Sequence, residues 1–164
     1  MSDQQEFLTP EQRAAVVAEA RSWVEARTPY VPHARLKGIG CDCATFILCV
    51  YQNIGLVSEV DPGYYSIQAH LHSDDTQYVD TILRFADEIT EQEVQPGDLA
   101  LWRVARAFAH GGIVVAWPQA IHSMNIHGVI YSDANVDSFL KGRLRRFFRR
   151  NFSKLSTTEV TEER

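Results

Sequence analysis

The chain has 164 residues, of which 45% are apolar and 10% aromatic, and its formal net charge is −5. This length fits one compact domain, and the apolar content is enough for a buried core, which excludes a chain that is disordered throughout. The modest acidic charge also argues against a general nucleic-acid binder, so no nucleic-acid partner is expected.

The N-terminal residues Met1–Glu6 lack the basic start and apolar stretch of an export signal, and no later run is long enough to span a membrane. We therefore expect a soluble protein that is made in the cytoplasm without a signal peptide. Three cysteines cannot all pair with one another, and Cys41 and Cys43 are too close in sequence for an ordinary disulfide framework. A reduced compartment and at least one free thiol are expected.

A first helix is predicted from Thr9 to about Ala26. Thr9 offers a capping hydroxyl, Pro10 suits the first helical position, and Gln12 completes a capping box. Apolar side chains then recur at helical spacing. The following residues, 28–40, are rich in proline and glycine and predict an extended loop.

Asp42 is expected to cap a second helix, because apolar side chains recur after it at the spacing of one helical face. Cys43 would lie in the first turn of this helix. There the helix dipole and unpaired backbone N–H groups stabilise a thiolate and lower a cysteine pKa from about 8.5 by one to several units. The alternative is that Cys43 is a small buried apolar side chain, as intracellular cysteines usually are.

The second half of the chain predicts a third helix and a sheet. Residues 57–77 read as irregular and residues 76–89 as a helix. A turn at residues 95–98 is followed by β-prone runs that predict an antiparallel sheet, at 99–104, 110–117, 119–123 and 128–131. Residues 155–164 predict a disordered tail, which leaves 1–154 as a single domain.

Residues 141–154 are rich in arginine and lysine around three phenylalanines. A solvated strand or helix with a basic face is the first interpretation of this segment. The second is a surface for an anionic partner such as a glycan phosphate or a nucleic acid. The first is preferred, and no function is assigned to the segment.

A thiol nucleophile needs a base, and histidine is the side chain that exchanges a proton near neutral pH. His110 stands at the start of a predicted strand, where two glycines follow it and would allow close approach to the backbone, although a histidine there can also be structural. A hairpin turning near Trp117 would bring His122 toward His110, where it could fix the tautomer of His110. The substitutes for His122 in this role are Asn125 and His127.

Cysteines and histidines are also the ligands that zinc prefers, which makes a metal site the rival chemical interpretation. Structural zinc sites usually pair cysteines as Cys-x-x-Cys, whereas only Asp42 separates Cys41 from Cys43. Gly38 and Gly40 do not have the spacing of a phosphate-binding loop. No metal ion and no cofactor are expected.

As a set, these motifs resemble the NlpC/P60 family of cell-wall cysteine peptidases, which are papain-like in architecture. The resemblance spans roughly residues 10–150 and implies an α+β fold, with helices packed on a central antiparallel β-sheet and the nucleophile at a helix N-terminus. It is carried by Thr28-Pro29-Tyr30, Gly40-Cys41-Asp42-Cys43, Pro96-Gly97-Asp98-Leu99, His110-x-Gly112-Ile113 and Ile121-His122.

The resemblance implies the catalytic residues Cys43, His110 and His122 and hydrolysis through a thioester acyl-enzyme. By the same analogy Tyr30 would bind substrate or stabilise the oxyanion, and Asp42 would lie near the substrate amine. The implied substrate is a peptidoglycan stem peptide, commonly cut between γ-D-glutamate and a diamino acid. Cys41 would be either a bystander or a redox partner of the nucleophile.

Two departures from the family pattern place the chain within a narrower group. The usual Asp-Cys-Ser-Gly is here Asp42-Cys43-Ala44-Thr45, and residues 30–34 lack the tryptophan and glycines often found there. This version resembles members encoded in phage and prophage tail modules, so other tail proteins are expected partners and a phage-like tail the route to the cell wall. The alternatives are a structural tail protein with weak or no activity, and a thiol amidase or acyltransferase acting on a non-wall substrate.

Overall fold

A computed structural model describes residues 6–58 and 76–154, and within them helices pack on a central antiparallel sheet, which confirms the expected α+β fold. The helices are α1 (Pro10–Glu25), α2 (Cys43–Asn53) and α3 (Gln77–Leu83). A short hairpin of β1 (Arg35–Leu36) and β2 (Gly40–Cys41) precedes α2. The main sheet contains β3 (Ala86–Ile89), β4 (Leu99–Val104), β5 (Ala107–Ala116), β6 (Gln119–Met124), β7 (Gly128–Asp133) and β8 (Arg145–Arg150).

The main sheet has six strands in the order β3-β8-β4-β5-β6-β7, and every neighbouring pair is antiparallel. The strands β4 to β7 follow one another as hairpins, as the sequence predicts. The last strand, β8, returns to lie between β3 and β4, where Phe148 is aligned with Glu88 on one side and Leu99 on the other. The chain therefore closes the sheet with its most basic segment in an interior position.

The two faces of the sheet bury different side chains. The helices cover one face, where Val16, Trp23, Phe46 and Ile47 join the buried side chains of β4, β5 and β6 in the larger core. A smaller apolar cluster on the other face contains Ala100, Trp102, Val114, Ala120, Ala134, Leu140 and Phe147. Both clusters matter for the site, because α2 approaches β5 from the first face and two histidines lie beside Trp102 on the second.

The prediction of a helix through residues 76–89 is wrong for its second half. The helix α3 ends at Leu83, and residues 86–89 form the strand β3, in which Ala86 is aligned with Arg150. Buried side chains at Val79, Ile82 and Phe85 suit either structure, and pairing with a strand far along the chain decides the outcome. Residues 59–75 and the predicted tail 155–164 lie outside the described residues.

The basic segment forms a strand, one of the two elements expected for it, but this strand is less solvated than expected. Phe147, Phe148 and Arg150 are buried, and the guanidinium of Arg150 donates to the carbonyls of Leu56 and Phe85. Four further basic side chains of the segment meet carboxylates of this same chain in ion pairs, namely Arg145–Glu91, Arg146–Glu88, Arg149–Asp98 and Lys154–Asp87. The positive charge of the segment is thus largely matched within the fold.

Asp98 joins α1, β4 and β8. Its carboxylate is fully buried and lies 2.9 Å from the guanidinium nitrogens of both Arg13 and Arg149. It also accepts the backbone N–H of Gln95 at 2.9 Å. A buried carboxylate needs this degree of pairing, because an uncompensated charge in the core is strongly destabilising.

None of the helices in residues 6–58 and 76–154 is long and apolar enough to cross a membrane.

Candidate active site

The start of α2 is fixed by Asp42, which is its N-cap. One carboxylate oxygen, Oδ1, accepts the backbone N–H groups of Ala44 at 3.0 Å and Thr45 at 2.9 Å, and the Thr45 hydroxyl accepts the N–H of Asp42 at 2.9 Å. This reciprocal box turns the extended chain of β2 directly into a helix. Cys43 is therefore the first residue of α2, as the sequence predicts.

The thiol of Cys43 lies against the backbone of β5. Its Sγ donates to the carbonyl of Ala109 at 3.4 Å, immediately before His110 in the strand. The pairing of β4 with β5 is irregular at this point, since Trp102 is aligned with His110 and Arg103 with Phe108, which leaves Ala109 as an extra residue. Such a bulge redirects neighbouring side chains and is common beside active sites.

Gly111 lets α2 come close to β5. A Cβ atom at this position would lie 2.9 Å from Ile47 Cδ1 and 2.7 Å from Leu101 Cδ2, and it would collide with the Tyr78 hydroxyl oxygen. Gly112 faces the opposite side, where a Cβ would come within 2.8 Å of the Ile121 carbonyl oxygen. The prediction that the two glycines allow close approach to the backbone is confirmed on both faces.

Tyr78, in α3, is a further group beside Cys43. Its hydroxyl donates to the backbone carbonyl of Cys43 at 3.0 Å. Sequence patterns did not indicate this residue, because it follows a stretch that reads as irregular and its helix has no local signal linking it to Cys43.

Burial sets the protonation of the Cys43 thiol in this arrangement. Removal from water, with a smaller contribution from the Asp42 carboxylate, raises the pKa of this thiol to about 12, although the Gly111 N–H and the Tyr78 hydroxyl act in the opposite direction. The lowering that a helix N-terminus is expected to give is outweighed here. The thiol at rest is therefore neutral.

The two histidines form a direct hydrogen bond. His110 Nε2 lies 2.7 Å from His122 Nδ1, and His122 Nε2 lies 2.7 Å from the hydroxyl of Ser132. Gly112 is the residue aligned with His122, so the two imidazoles are diagonal neighbours on adjacent strands. The structure brings His122 to His110, whereas the two substitutes are exposed in the turn before β7, namely Asn125 and His127.

Aromatic side chains enclose the histidine pair. The Trp102 ring centroid is 6.0 Å from that of His110 and 6.2 Å from that of His122, and Phe139 meets His110 edge-on at 5.3 Å. Burial lowers the pKa of His122 to about 4, and burial with the nearby His122 and Arg143 lowers the pKa of His110 well below 6.5. Both imidazoles are neutral at pH 7, the form in which a base can accept a proton.

A model of the NlpC/P60 family matches residues 27–148, a span that contains Cys43 and both histidines. The chain belongs to the NlpC/P60 family. Among curated proteins, no sequence matches this chain.

Solved structures show the same NlpC/P60 fold. The NlpC/p60 domain of the peptidoglycan hydrolase SagA aligns with a TM-score of 0.55 at 21% identity, covering 82% of this chain and 96% of that domain. A lipoprotein-like NLP/P60 protein of Staphylococcus aureus gives 0.60 at 20% identity, covering 92% of this chain and 44% of the other. NlpC1 of Trichomonas vaginalis gives 0.54 at 16% identity, covering 92% and 46%. The chain thus spans less than half of the latter two proteins.

Tyr30 of this NlpC/P60 chain lies near Cys43. It forms an isolated bridge with Cys41, and the neighbouring Val31 N–H donates to the Cys41 carbonyl at 3.0 Å. Burial raises the pKa of the half-buried Tyr30 phenol, and the negative charges of ionised Cys43 and Asp42 add to this effect. A role for Tyr30 in substrate binding stays a prediction that its position supports.

Asp42 has both carboxylate oxygens engaged with backbone. Besides the two N–H groups bound by Oδ1, its Oδ2 accepts the N–H of His33 at 2.7 Å, and the residue is only 1% exposed. Its visible role is therefore to cap α2 and to hold the preceding loop. Contact with a substrate amine stays a prediction.

The other two cysteines are buried away from the strand that carries His110. Cys41 Sγ lies 3.6 Å from the Ser123 hydroxyl, and Cys49 Sγ lies 3.8 Å from the Arg35 carbonyl. Burial raises the pKa of Cys41 to about 12, the same value as for Cys43, so the two thiols differ in their neighbours and not in their resting protonation. Among residues 6–58 and 76–154 there is no group of three or more His, Cys, Asp or Glu side chains placed to hold a metal ion.

Proposed function

We propose that this NlpC/P60 protein is a cysteine peptidase that hydrolyses peptidoglycan stem peptides. The observation that carries the proposal is the buried His110–His122 hydrogen bond, next to a strand segment whose backbone contacts the Cys43 thiol. The relative SagA, with the same fold, is a peptidoglycan hydrolase by name. A neutral thiol, a neutral imidazole and a second imidazole that orients the first are the groups that acyl transfer requires.

His110 Nδ1 is the ring nitrogen that would take the thiol proton, because Nε2 is engaged by His122. The Cys43 side chain would rotate from the Ala109 carbonyl toward this nitrogen when substrate enters. Burial alone disfavours a charge on either group, so it raises the pKa of the thiol and lowers the pKa of the imidazole. When the thiolate and the imidazolium form together, their attraction offsets part of this cost.

In the first half-reaction Sγ would attack the carbonyl carbon of the scissile amide, and the amide oxygen would become an oxyanion. The backbone N–H of Cys43 at the start of α2 and the hydroxyl of Tyr30 are the candidate donors, whereas the Tyr78 hydroxyl already donates to the Cys43 carbonyl. The C–N bond would then break as His110 returns its proton to the leaving amine, which leaves a thioester on Cys43.

In the second half-reaction a water molecule would give one proton to His110 Nδ1 and attack the thioester carbonyl carbon. The C–S bond would break, releasing the carboxylic acid, and the proton on His110 would return to the Cys43 sulfur. Each proton is taken and returned by the same imidazole, so no further acid or base is needed.

The scissile bond we propose is the one between γ-D-glutamate and a diamino acid, as the family resemblance implies. Ala44 stands where the family has a serine and is nearly buried, and the neighbouring Thr45 hydroxyl is used in the helix cap. Delivery to the wall within a phage-like tail, after synthesis in the cytoplasm, is a further proposal that rests on this version of the motif alone.

The test is mass spectrometry of defined muropeptides after incubation with the wild type and with Cys43→Ala, His110→Ala and Cys41→Ala. We expect the wild type and Cys41→Ala to cut a stem peptide, and loss of the nucleophile or the base to reduce kcat at least about a thousandfold. His127→Ala, which removes an exposed histidine from the β6–β7 turn, is the matched control for His110→Ala.

Two other outcomes would replace the proposal. If no variant cuts any muropeptide, a structural tail protein becomes the better interpretation. If the wild type transfers or hydrolyses acyl groups of small γ-glutamyl amides but leaves muropeptides intact, the protein is a thiol amidase or acyltransferase with a non-wall substrate.

A further inference from the structure

The hydrogen-bonded chain that begins at His110 does not end at His122. The Ser132 hydroxyl lies 2.7 Å from His122 Nε2, on the far side of the ring from His110. Ser132 belongs to β7, where it is aligned with Ala120 of β6, and it is 8% exposed. A residue in this position is too far inside the sheet to reach a substrate, so any effect it has on catalysis acts through His122.

The proton positions in this chain are restricted by chemistry. Once His110 has taken a proton on Nδ1 it carries N–H groups on both ring nitrogens, and Nε2–H must donate to His122 Nδ1. His122 Nδ1 must then be unprotonated, and a neutral His122 carries its proton on Nε2. That N–H points at the Ser132 oxygen, which must accept it.

The opposite arrangement would disable the base. If His122 carried its proton on Nδ1, it would donate to His110 Nε2, and neutral His110 would carry its own proton on Nδ1. The nitrogen meant for the thiol proton would then be occupied. The two arrangements use the same three side chains. They differ in which nitrogen of each imidazole carries the proton, and in whether the Ser132 oxygen accepts from or donates to His122 Nε2.

We propose that Ser132 is a positioning residue that keeps His122 in its Nε2–H tautomer and thereby keeps His110 Nδ1 free to act as the base. This inference rests on the proposed function for its catalytic consequence, although the tautomer itself is independent of any substrate.

The surroundings offer the His122 N–H few substitutes for Ser132. His122 is fully buried and its nearest ring neighbours are His110 and Trp102. The Asp137 carboxylate is near enough for its charge to raise the pKa of His122, but its Oδ1 already accepts the backbone N–H groups of Phe139 and Leu140. In the part of the chain that the structure describes, the indole N–H of Trp102 is already buried without a hydrogen-bond partner. A second unpaired N–H in this apolar cluster would be costly, which favours a change of tautomer when the hydroxyl is removed.

The first measurement is the tautomer of each histidine, read from ¹⁵N chemical shifts and long-range ¹H–¹⁵N correlations of histidine-labelled protein at pH 7.5. In the wild type we expect the Nε2–H tautomer for both His110 and His122. In Ser132→Ala we expect His122 to lose this tautomer in a substantial fraction of molecules. Ser132→Thr keeps the hydroxyl and should restore the wild-type pattern.

The second measurement is the kinetics of muropeptide cleavage by the same variants. Ser132→Ala should lower kcat about tenfold or more with little change in KM, because the hydroxyl acts on the base rather than on substrate. Ser132→Thr should recover most of the loss. Ser132→Cys has a thiol of similar shape that is a weak acceptor, so its kcat should lie between those of Ser132→Ala and Ser132→Thr. This variant replaces Ser132→Ala in the test if Ser132→Ala fails to fold.

Ser123→Ala is the matched control for the loss of a buried serine hydroxyl. Ser123 lies next to His122 in β6, but its hydroxyl donates to the Cys41 carbonyl at 3.2 Å. Its removal should cost similar stability and leave both histidine tautomers unchanged.

The inference is overturned if wild-type His122 carries its proton on Nδ1, or if Ser132→Ala keeps both the tautomers and the kcat of the wild type. Should the wild type cleave no muropeptide, the proposed function fails, while the tautomer spectra of the wild type, Ser132→Ala and Ser132→Thr still decide whether Ser132 holds His122 as stated.

Discussion

At the residue scale, the same carboxylate builds the active site and restrains it. Asp42 starts α2 at Cys43, but its negative charge stands next to the sulfur and adds to the burial that raises the thiol pKa. Sequence reasoning considered only the favourable field of the helix N-terminus. The charge of the cap was visible in the sequence, yet the depth at which the thiol is buried depends on how closely α2 packs on β5.

We expect Asp42→Asn to make Cys43 more reactive while weakening the helix cap. Asparagine keeps an acceptor oxygen for the N–H groups of Ala44 and Thr45 but removes the charge beside the sulfur. A pKa lowered by about half a unit to one unit gives roughly a three- to tenfold faster alkylation by iodoacetamide at pH 8. The rate is measured by mass spectrometry of the peptide that contains Cys43.

Glu88→Gln is the control for this prediction, because it removes one negative charge from β3, where Glu88 pairs with Arg146. Its alkylation rate should match that of the wild type. An Asp42→Asn rate equal to or below the wild-type rate would show that the carboxylate does not oppose ionisation of the thiol.

At the element scale, β8 shows what local patterns leave undecided. The residues of β8 have the composition of a charged surface strand, and its interior position depends on β3 and β4, which lie more than forty positions earlier. The same long-range pairing turns residues 86–89 from a predicted helix into β3. By contrast α1, α2 and the β4–β7 hairpins are confirmed, because caps, turns and strand alternation are local signals.

The residues of the candidate site also divide into those with a local sequence signal and those brought in by long-range pairing. Cys43 could be placed from its cap, and His122 was named through the hairpin that brings it to His110. Tyr78 and Ser132 come from elements whose sequence carries no sign of their partners, so only the folded chain brings them to the site.

We expect Asp98→Asn to destabilise the fold far more than Asp87→Asn, because the first leaves buried guanidinium groups without their shared carboxylate. Asp98 is fully buried between Arg13 and Arg149, whereas Asp87 pairs with Lys154 at a partly exposed position. The free energy of unfolding should fall by about 3 kcal/mol for Asp98→Asn. For Asp87→Asn the loss should be about 1 kcal/mol or less. Urea denaturation followed by tryptophan fluorescence measures both.

Equal losses for the two variants would mean that β8 is not held by its buried ion pair. The basic segment could instead bind an anionic partner. Affinity for an anionic polymer that rises when Asp98 or Glu88 is neutralised would support this interpretation.

At the scale of the whole molecule, β5 joins the two parts of the candidate site. The Cys43 thiol contacts the carbonyl of Ala109 at the bulge of this strand, and the next residue, His110, lies with Trp102 in the smaller apolar cluster. Folding therefore buries two imidazoles in an apolar cluster. This burial couples the stability of the molecule to pH.

We expect the protein to lose stability as the pH falls from about 6.5 toward 4. Burial lowers the pKa of His122 to about 4 in the folded chain, against 6.5 for a histidine in water, and the pKa of His110 is lowered as well. Between these values the unfolded chain binds protons that the folded chain does not. The free energy of unfolding is therefore not reduced by these imidazoles above pH 6.5, and it falls on acidification as the unfolded chain takes up protons. For His122 the full loss, reached below about pH 4, amounts to about 3 kcal/mol.

The measurement is the free energy of unfolding by urea at a series of pH values from 7.5 to 4, for the wild type, His122→Asn and His127→Asn. Carboxylates titrate in the lower part of this range in all three proteins, so the difference between them isolates the buried imidazole. His122→Asn should flatten the decline between pH 6.5 and 4, because the group that gains a proton on unfolding is absent, whereas His127→Asn, in the exposed β6–β7 turn, should keep the wild-type slope. Parallel curves for the wild type and His122→Asn would mean that His122 takes up its proton equally readily in the folded and the unfolded chain, which would contradict the lowering of its pKa by burial.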